Sequence, residues 1–242
     1  LPALGDYSSA SISLSGEYEL GRLWLAMYRG STKEHSDPLM RTYLEDLIYR
    51  LSETSEVRDR RFEFIILEDE SINAFAAPGG IIGINLGMFL NTKREGELAS
   101  VMCHELAHLS QRHYARSQNR NSPLANALMI LGSIAVAAAS RNPEAIIIAP
   151  AAMQQMSINF TRSNEKEADR IGFNNLVKAG FDPNDMTMMF QRMQDKYQRE
   201  DSEQFSYLMT HPLPSERLTD MRIRADNISK PSEGSFRDNL DF

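Results

Sequence analysis

Apolar positions recur at helical spacing along most of the chain and change to short apolar runs in one region. After Ser15, Leu20, Leu23, Trp24 and Met27 mark one side of a first helix. Asp37 and Pro38 supply an N-cap and a first-turn proline for a second, in which Leu39, Met40, Tyr43, Leu44, Leu47, Ile48 and Leu51 repeat at i, i+3, i+4. From Arg61 to Glu68 the run of Phe62, Phe64, Ile65, Ile66 and Leu67 favours a strand. Asn73 to Ala77 and Gly80 to Asn85 flank the turn signal Pro78-Gly79, so this region predicts a small sheet containing a hairpin.

Helical spacing then returns. Thr92 and Glu95 have the spacing of a capping box, opening a helix with Leu98, Val101, Met102, Leu106 and Leu109 on one face that is expected to run to about Tyr114. A later helix, from around Ser157, stops at Ala179-Gly180-Phe181-Asp182-Pro183, where Gly180 suits the left-handed position after the helix and the proline forbids continuation. Asp182 and Pro183 start another helix with Met186, Met189, Phe190 and Met193 inward, and a last one follows Pro214 with Leu218 and Met221. There is no internal repeat and no heptad, so the pattern predicts one mainly helical α+β domain over 1–228, with a small β-sheet and a polar, flexible tail at 229–242.

One stretch fits this picture poorly. Asn121 to Ser140 holds no charge, and a second uncharged stretch runs from Ala145 to Thr161. The first is long enough for a membrane span, yet it contains Pro123, Gly132, two Asn and three Ser. Two readings stand for 121–161: a buried helix or lid over a cleft, and a peripheral membrane contact.

Composition narrows the function classes. The chain has 242 residues, 26 Lys plus Arg against 33 Asp plus Glu and a net charge of −7, which disfavours nucleic acid as a partner. A single cysteine, Cys103, excludes a disulfide framework. The first residue is Leu1 and no charged-then-apolar leader follows, which suits a processed form.

The chemistry concentrates in His104-Glu105-Leu106-Ala107-His108. Histidines four apart on a helix share a face, and both rings can reach one Zn²⁺ with bonds of about 2.0–2.1 Å while Glu105 reaches a water beside it. The same spacing also arises on solvated surface helices, so the question is what supplies a third ligand. The metzincin pattern requires glycine and histidine where Gln111 and Tyr114 stand, and is rejected. His113 lies five residues past His108, about 140° around a continuous helix, and is expected to face solvent or a polar neighbour. Glu165 is the better candidate: Glu165 and Asp169 share a helix face, with Glu167 pointing elsewhere. A carboxylate-rich helix start is also what the helix dipole favours, so this spacing by itself leaves both readings open.

Four segments together resemble metallopeptidase family forty-eight: His104 to His108, Arg162 to Asp169, Asn73 to Gly80, and His211-Pro212 with Ser215-Glu216-Arg217. They fall in the family's order and span nearly the whole chain. The resemblance is greatest to the family's soluble bacterial branch concerned with β-barrel assembly. It implies a gluzincin-like zinc metalloprotease domain with the sheet beside the cleft and one Zn²⁺ held by His104, His108 and Glu165. Glu105 matches the general base and acid. Asp169 matches an aspartate read as an orienter of a ligand or as a proton donor, the former favoured by its distance of one turn from Glu165. His211 is left with two roles, holding the oxyanion or filling the open metal position in a resting form.

The implied function is a zinc-dependent endopeptidase of the periplasm, acting on misfolded or misassembled envelope proteins. Its implied partners are outer-membrane β-barrel proteins and their assembly machinery. Asn73, Ala74, Phe75 and Ala76 form the candidate substrate strand, to which an extended peptide could add by main-chain hydrogen bonds. The rival reading is a chaperone-like binding module with a latent or structural zinc. Members of that branch continue into tetratricopeptide repeats, and no such segment precedes Phe242.

Overall fold

Ser13 starts the first helix: its hydroxyl accepts the Gly16 amide at 3.0 Å, and α1 runs over Leu14–Ser31. Asp37 does the same for α2 (Pro38–Thr54), accepting the amides of Leu39 and Met40 at 2.8 and 3.3 Å. Leu44, Leu47, Ile48 and Leu51 of α2 are buried as the periodicity predicts, whereas Leu39 is 80% exposed. The computed structural model describes residues 12–118, 161–199 and 206–228. The uncharged stretch 121–161, apart from Thr161, and the tail 229–242 lie outside the described residues.

Three strands follow, β1 (Glu63–Leu67), β2 (Ala74–Ala77) and β3 (Ile81–Asn85), ordered β1-β3-β2. β1 runs parallel to β3 with Ile65 opposite Gly83, and β2 pairs antiparallel with β3 with Phe75 opposite Gly83. Alternation along the strands divides their side chains between two layers. Phe64, Ile66, Ala74, Ala76, Ile82 and Ile84 join the main core with α2 and the helices that follow. Ile65, Leu67, Phe75, Ala77 and Ile81 pack instead with Leu25, Trp24 and Tyr28 of α1, where Phe75 meets both aromatic rings edge-on. The sheet is thus covered by α1 on one face and by the main helical layer on the other.

The expected capping box does not form. A short helix, α3 (Leu86–Asn91), precedes the site helix and takes Thr92 as its own terminator, the Thr92 hydroxyl donating to Phe89 O at 3.0 Å. The site helix α4 (Glu95–Ser110) starts after Arg94, with Glu97 Oε2 accepting the Lys93 amide at 2.7 Å. Glu95, rather than capping, pairs with Arg50 of α2 at 2.5 Å. α4 also ends sooner than expected. Arg112 adopts φ 50, which breaks the helix and begins α5 (His113–Gln118) in a new direction.

α6 (Arg162–Lys178) starts five residues later than expected because Thr161 is extended and caps it through the Asn164 amide. Its stop is as predicted: Gly180 has φ 88, and the amides of Gly180 and Phe181 return to Val177 O and Leu176 O. α7 (Pro183–Arg199), α8 (Ser206–Thr210) and α9 (Ser215–Asp226) complete the described helices.

α4 is buried from Glu95 to His108, with α2, β2, α6 and α7 packed around it. Gly172 sets how near α6 comes: a Cβ there would lie 2.9 Å from the His104 amide nitrogen and 3.0 Å from the Cys103 carbonyl. Among the described residues no helix is long and apolar enough to cross a membrane.

Candidate active site

α4 turns His104 and His108 to one side, one helical turn apart, and α6 crosses it at Gly172 so that Glu165 faces them. The last turn of α8 carries the chain to His211, whose amide donates to Tyr207 O at 2.8 Å. All four side chains are buried, and one ligand atom from each lies within 4.8 Å of the others. His104 Nε2 is 3.0 Å from His108 Nε2 and 3.3 Å from His211 Nδ1. Glu165 Oε1 is 3.4 Å from His108 Nε2, Glu165 Oε2 is 3.4 Å from His104 Nε2, and both oxygens are 3.2 Å from His211 Nδ1.

These separations test whether a metal fits. Tetrahedral ligands at about 2.0–2.1 Å from an ion stand about 3.3 Å from one another, which is close to the spacing of the four groups. Three imidazoles and one carboxylate in a buried cluster are a donor set for a borderline divalent ion rather than a pairing of charges. The residues therefore fit a tetrahedral metal, with His211 in the fourth place.

Each ligand atom has support behind it. His104 Nδ1 lies 3.1 Å from Asp169 Oδ1, which leaves Nε2 free to face the cluster. Arg217 of α9 grips Asp169 with Nε on Oδ2 and Nη2 on Oδ1, and sends Nη1 to Glu165 Oε2 at 2.8 Å and to Pro212 O at 2.6 Å. One guanidinium thus ties Glu165 and Asp169 of α6 to the loop that presents His211. His108 Nδ1 meets His113 Nδ1 at 2.8 Å.

Electrostatics follow from burial and these contacts. Burial opposes charge on Glu165, but the His211 and His104 imidazoles outweigh it and hold the carboxyl well below its ordinary range. For Asp169 the opposing burial is outweighed by Arg217 and His104, again lowering the carboxyl. Burial would lower His104, yet hydrogen bonding to Asp169 and Glu165 raises it to about 9 without metal. His108 goes the other way, well below the usual imidazole value, through burial first and then the neighbouring imidazoles of His104 and His211.

Glu105 is fully buried beside the cluster, where the Tyr207 hydroxyl is the side-chain donor that offsets part of its burial. His211 Nε2 stands 3.6 Å from its Oε1, and the buried Tyr207, stacked on His211 with ring centroids 4.6 Å apart, is a further neighbour. Burial raises the Glu105 carboxyl, making it a better proton acceptor than an exposed glutamate.

The tertiary structure thus brings together His104, Glu105, His108, Glu165, Asp169 and His211. The strand Ala74 to Ala77 packs against α4 as the outer strand of the sheet, with Asn73 just ahead of it. Of the two expectations for His113, the polar neighbour holds and solvent does not: it is buried between Glu167 and His108, turned back onto the latter because the helix on which its angle was reckoned ends at Ser110. Sequence reading also assigned no role to Arg217 or Tyr207. A signal for Arg217 was present: Arg217, Leu218, Met221 and Ala225 form one buried stripe on α9, and an arginine within an apolar stripe requires a buried anionic partner.

Comparison with known proteins adds independent findings. Residues 38–225 match the family model described as Peptidase family M48. The chain is 42% identical over 230 residues to the putative beta-barrel assembly-enhancing protease of Vibrio cholerae serotype O1, covering 93% of this chain and 47% of that protein. It is 37% identical over 235 residues to the beta-barrel assembly-enhancing protease of Escherichia coli strain K12, covering 94% and 47%. To the mitochondrial metalloendopeptidase OMA1 of Schizosaccharomyces pombe it is 27% identical over 197 residues, covering 79% and 56%. The chain spans about half the length of the curated relatives it matches.

Proposed function

The chain belongs to peptidase family M48, and from that premise we propose that it is a zinc-dependent endopeptidase whose metal is held by His104, His108 and Glu165. The observation that carries the reading is the convergence of these three side chains, with His211, beside the buried carboxylate of Glu105. When bound, zinc supplies a lowered pKa for water and a polarised scissile carbonyl. The chain's own residues do the rest. Glu105 takes the proton of the attacking water and returns it to the departing amine, a task suited to a carboxyl raised by burial. Asp169, itself held by Arg217, stands 3.1 Å from His104 Nδ1 and so keeps that ring's Nε2 turned to the metal.

His211 sits where a substrate carbonyl would need to enter. Its Nδ1 belongs to the donor set while its Nε2 stands beside Glu105, so the described arrangement supports a closed resting site. Opening requires the His211-Pro212 loop to withdraw. This same observation favours a second reading, a chaperone-like binding module whose zinc is latent or structural.

β2 supports the mode of substrate binding. Asn85 N donates to Asn73 O at 3.0 Å, and the antiparallel alternation that follows turns the amides and carbonyls of Ala74 and Ala76 away from β3. An extended polypeptide would add there as a further strand, read by backbone more than by side chain. The names of two of the relatives reported above concern β-barrel assembly. Accordingly, the substrates are proposed to be misfolded or misassembled outer-membrane β-barrel polypeptides, with the assembly machinery as partner and the periplasm as compartment.

Elemental analysis of wild type and Glu105→Gln, with hydrolysis of an unfolded polypeptide followed in the same samples, tests the assignment. One zinc per chain in both proteins is expected, with cleavage falling at least about 10²-fold in the variant. Undiminished turnover with full zinc in Glu105→Gln would contradict it.

A further inference from the structure

His113 Nε2 lies 3.1 Å from Glu167 Oε2, and the same oxygen accepts from Arg116 Nη1 at 2.8 Å. A carboxylate only accepts, so the proton of the His113 ring sits on Nε2 and its Nδ1 presents a lone pair. That lone pair faces His108 Nδ1 at 2.8 Å, so of the two facing nitrogens His108 is the donor. With its proton on Nδ1, His108 offers a lone pair at Nε2, the atom that faces His104 and Glu165.

We infer that His113 is a positioning residue that fixes the tautomer and ring orientation of His108, so that Nε2 is the atom offered to a divalent cation. The inference rests on the metalloprotease reading above. It separates the two histidines of the motif, for His104 is backed by a carboxylate, Asp169, and His108 by a neutral ring that relays to Glu167.

The backbone is built to place this ring. Arg112 takes the left-handed conformation that non-glycine residues rarely adopt, and only that break turns His113 back onto His108. The Arg112 side chain is fastened to α1, with Nε 3.0 Å from Glu17 Oε2 and Nη2 donating to Ile12 O. From the other side, Glu167, itself held by Arg116, accepts from Nε2. Glu17 of α1, through Arg112, and Glu167 of α6, directly, thus fix one ring whose inner nitrogen meets His108.

The test compares zinc affinity, by competition with a chromogenic chelator, in wild type, His113→Leu and His113→Asn. Asparagine places its side-chain oxygen where the histidine carries Nδ1 and keeps the acceptor, whereas leucine removes it. Expected are one zinc per chain in all three, an affinity loss of about 10–100-fold in His113→Leu, and largely restored affinity in His113→Asn. The visible absorption of the cobalt-substituted proteins should shift in His113→Leu alone. Equal affinities and spectra in all three, or equal losses in both variants, would overturn the inference and leave the metal site standing. Failure of wild type to bind zinc would overturn the metalloprotease reading and the inference with it. Should His113→Leu not fold, histidine ¹⁵N shifts of the metal-free wild type still decide: His108 protonated on Nδ1 is expected, and protonation on Nε2 overturns the proposal.

Discussion

Arg217 holds Asp169 by both carboxylate oxygens, Nε to Oδ2 at 2.6 Å and Nη2 to Oδ1 at 2.7 Å, with both side chains buried. Such a pair is costly to break from one side only, since the remaining charge is left in the interior without a partner. Arg217→Met is therefore expected to destabilise the protein by about 3–5 kcal/mol, measured by urea unfolding. The double variant Arg217→Met/Asp169→Leu should lose clearly less than the sum of the two single changes. Additive losses would show that the pair is not coupled as its geometry requires.

On the proposed reading His211 is the group in the donor set that moves for a substrate to enter. His211→Ala should keep one zinc per chain, since His104, His108 and Glu165 remain, and should raise hydrolysis of an unfolded polypeptide several-fold or more. Retained zinc with lost hydrolysis would instead make His211 a participant in the reaction, with its Nε2 next to Glu105 as the acting atom.

The outward amide of Ala76 gives the substrate strand a specific weakness. Proline at that position removes a donor that points away from β3, so the ladder between β2 and β3 keeps its own bonds. Ala76→Pro is expected to retain its unfolding midpoint within a few degrees while peptide affinity, followed by fluorescence anisotropy, drops at least about tenfold. Unchanged affinity would remove β2 as the platform.

Two histidines give the metal-free protein opposite pH limbs. Burial would lower His104, but hydrogen bonds to Asp169 and Glu165 raise it to about 9, above the unfolded value of about 6.5. Its contribution is fully present below pH ~6.5 and is lost as pH rises through about 9. Burial pushes His113 down to about 4, so its contribution is present above pH ~6.5 and is lost as pH falls through about 4. Urea midpoints of the metal-free protein should accordingly peak near pH ~6.5. On the proposed reading zinc takes the place of the proton on His104, so its addition should flatten the alkaline limb. A stability that climbs steadily from neutral to pH ~9 without metal would contradict the assignment.

What could be read along the chain was whatever short-range physics decides. Asp37-Pro38, Gly180-Phe181-Asp182-Pro183 and the apolar spacing of α2 and α7 act over one or two turns, and these boundaries are where the sequence places them. His104 and His108 share a face because a helix leaves no alternative, and the turn signal Pro78-Gly79 does join two paired strands. What only the tertiary structure decided depends on groups far away in sequence. Thr92 had two helices to serve and ended α3 instead of opening α4, because the unexpected short helix needed a terminator. His113 was placed by a backbone break at Arg112 that Glu17 of α1 holds, so no rule of helical angle could locate it. Glu165, Asp169, His211 and Arg217 are ordinary residues of a helix start, a loop and a helix until α6, α8 and α9 close on α4. The close approach at Gly172 then brings α6 onto α4, and it is burial together, away from water, that turns Glu165 and His211, with His104 and His108, into a donor set that fits a metal, with Asp169 and Arg217 behind it.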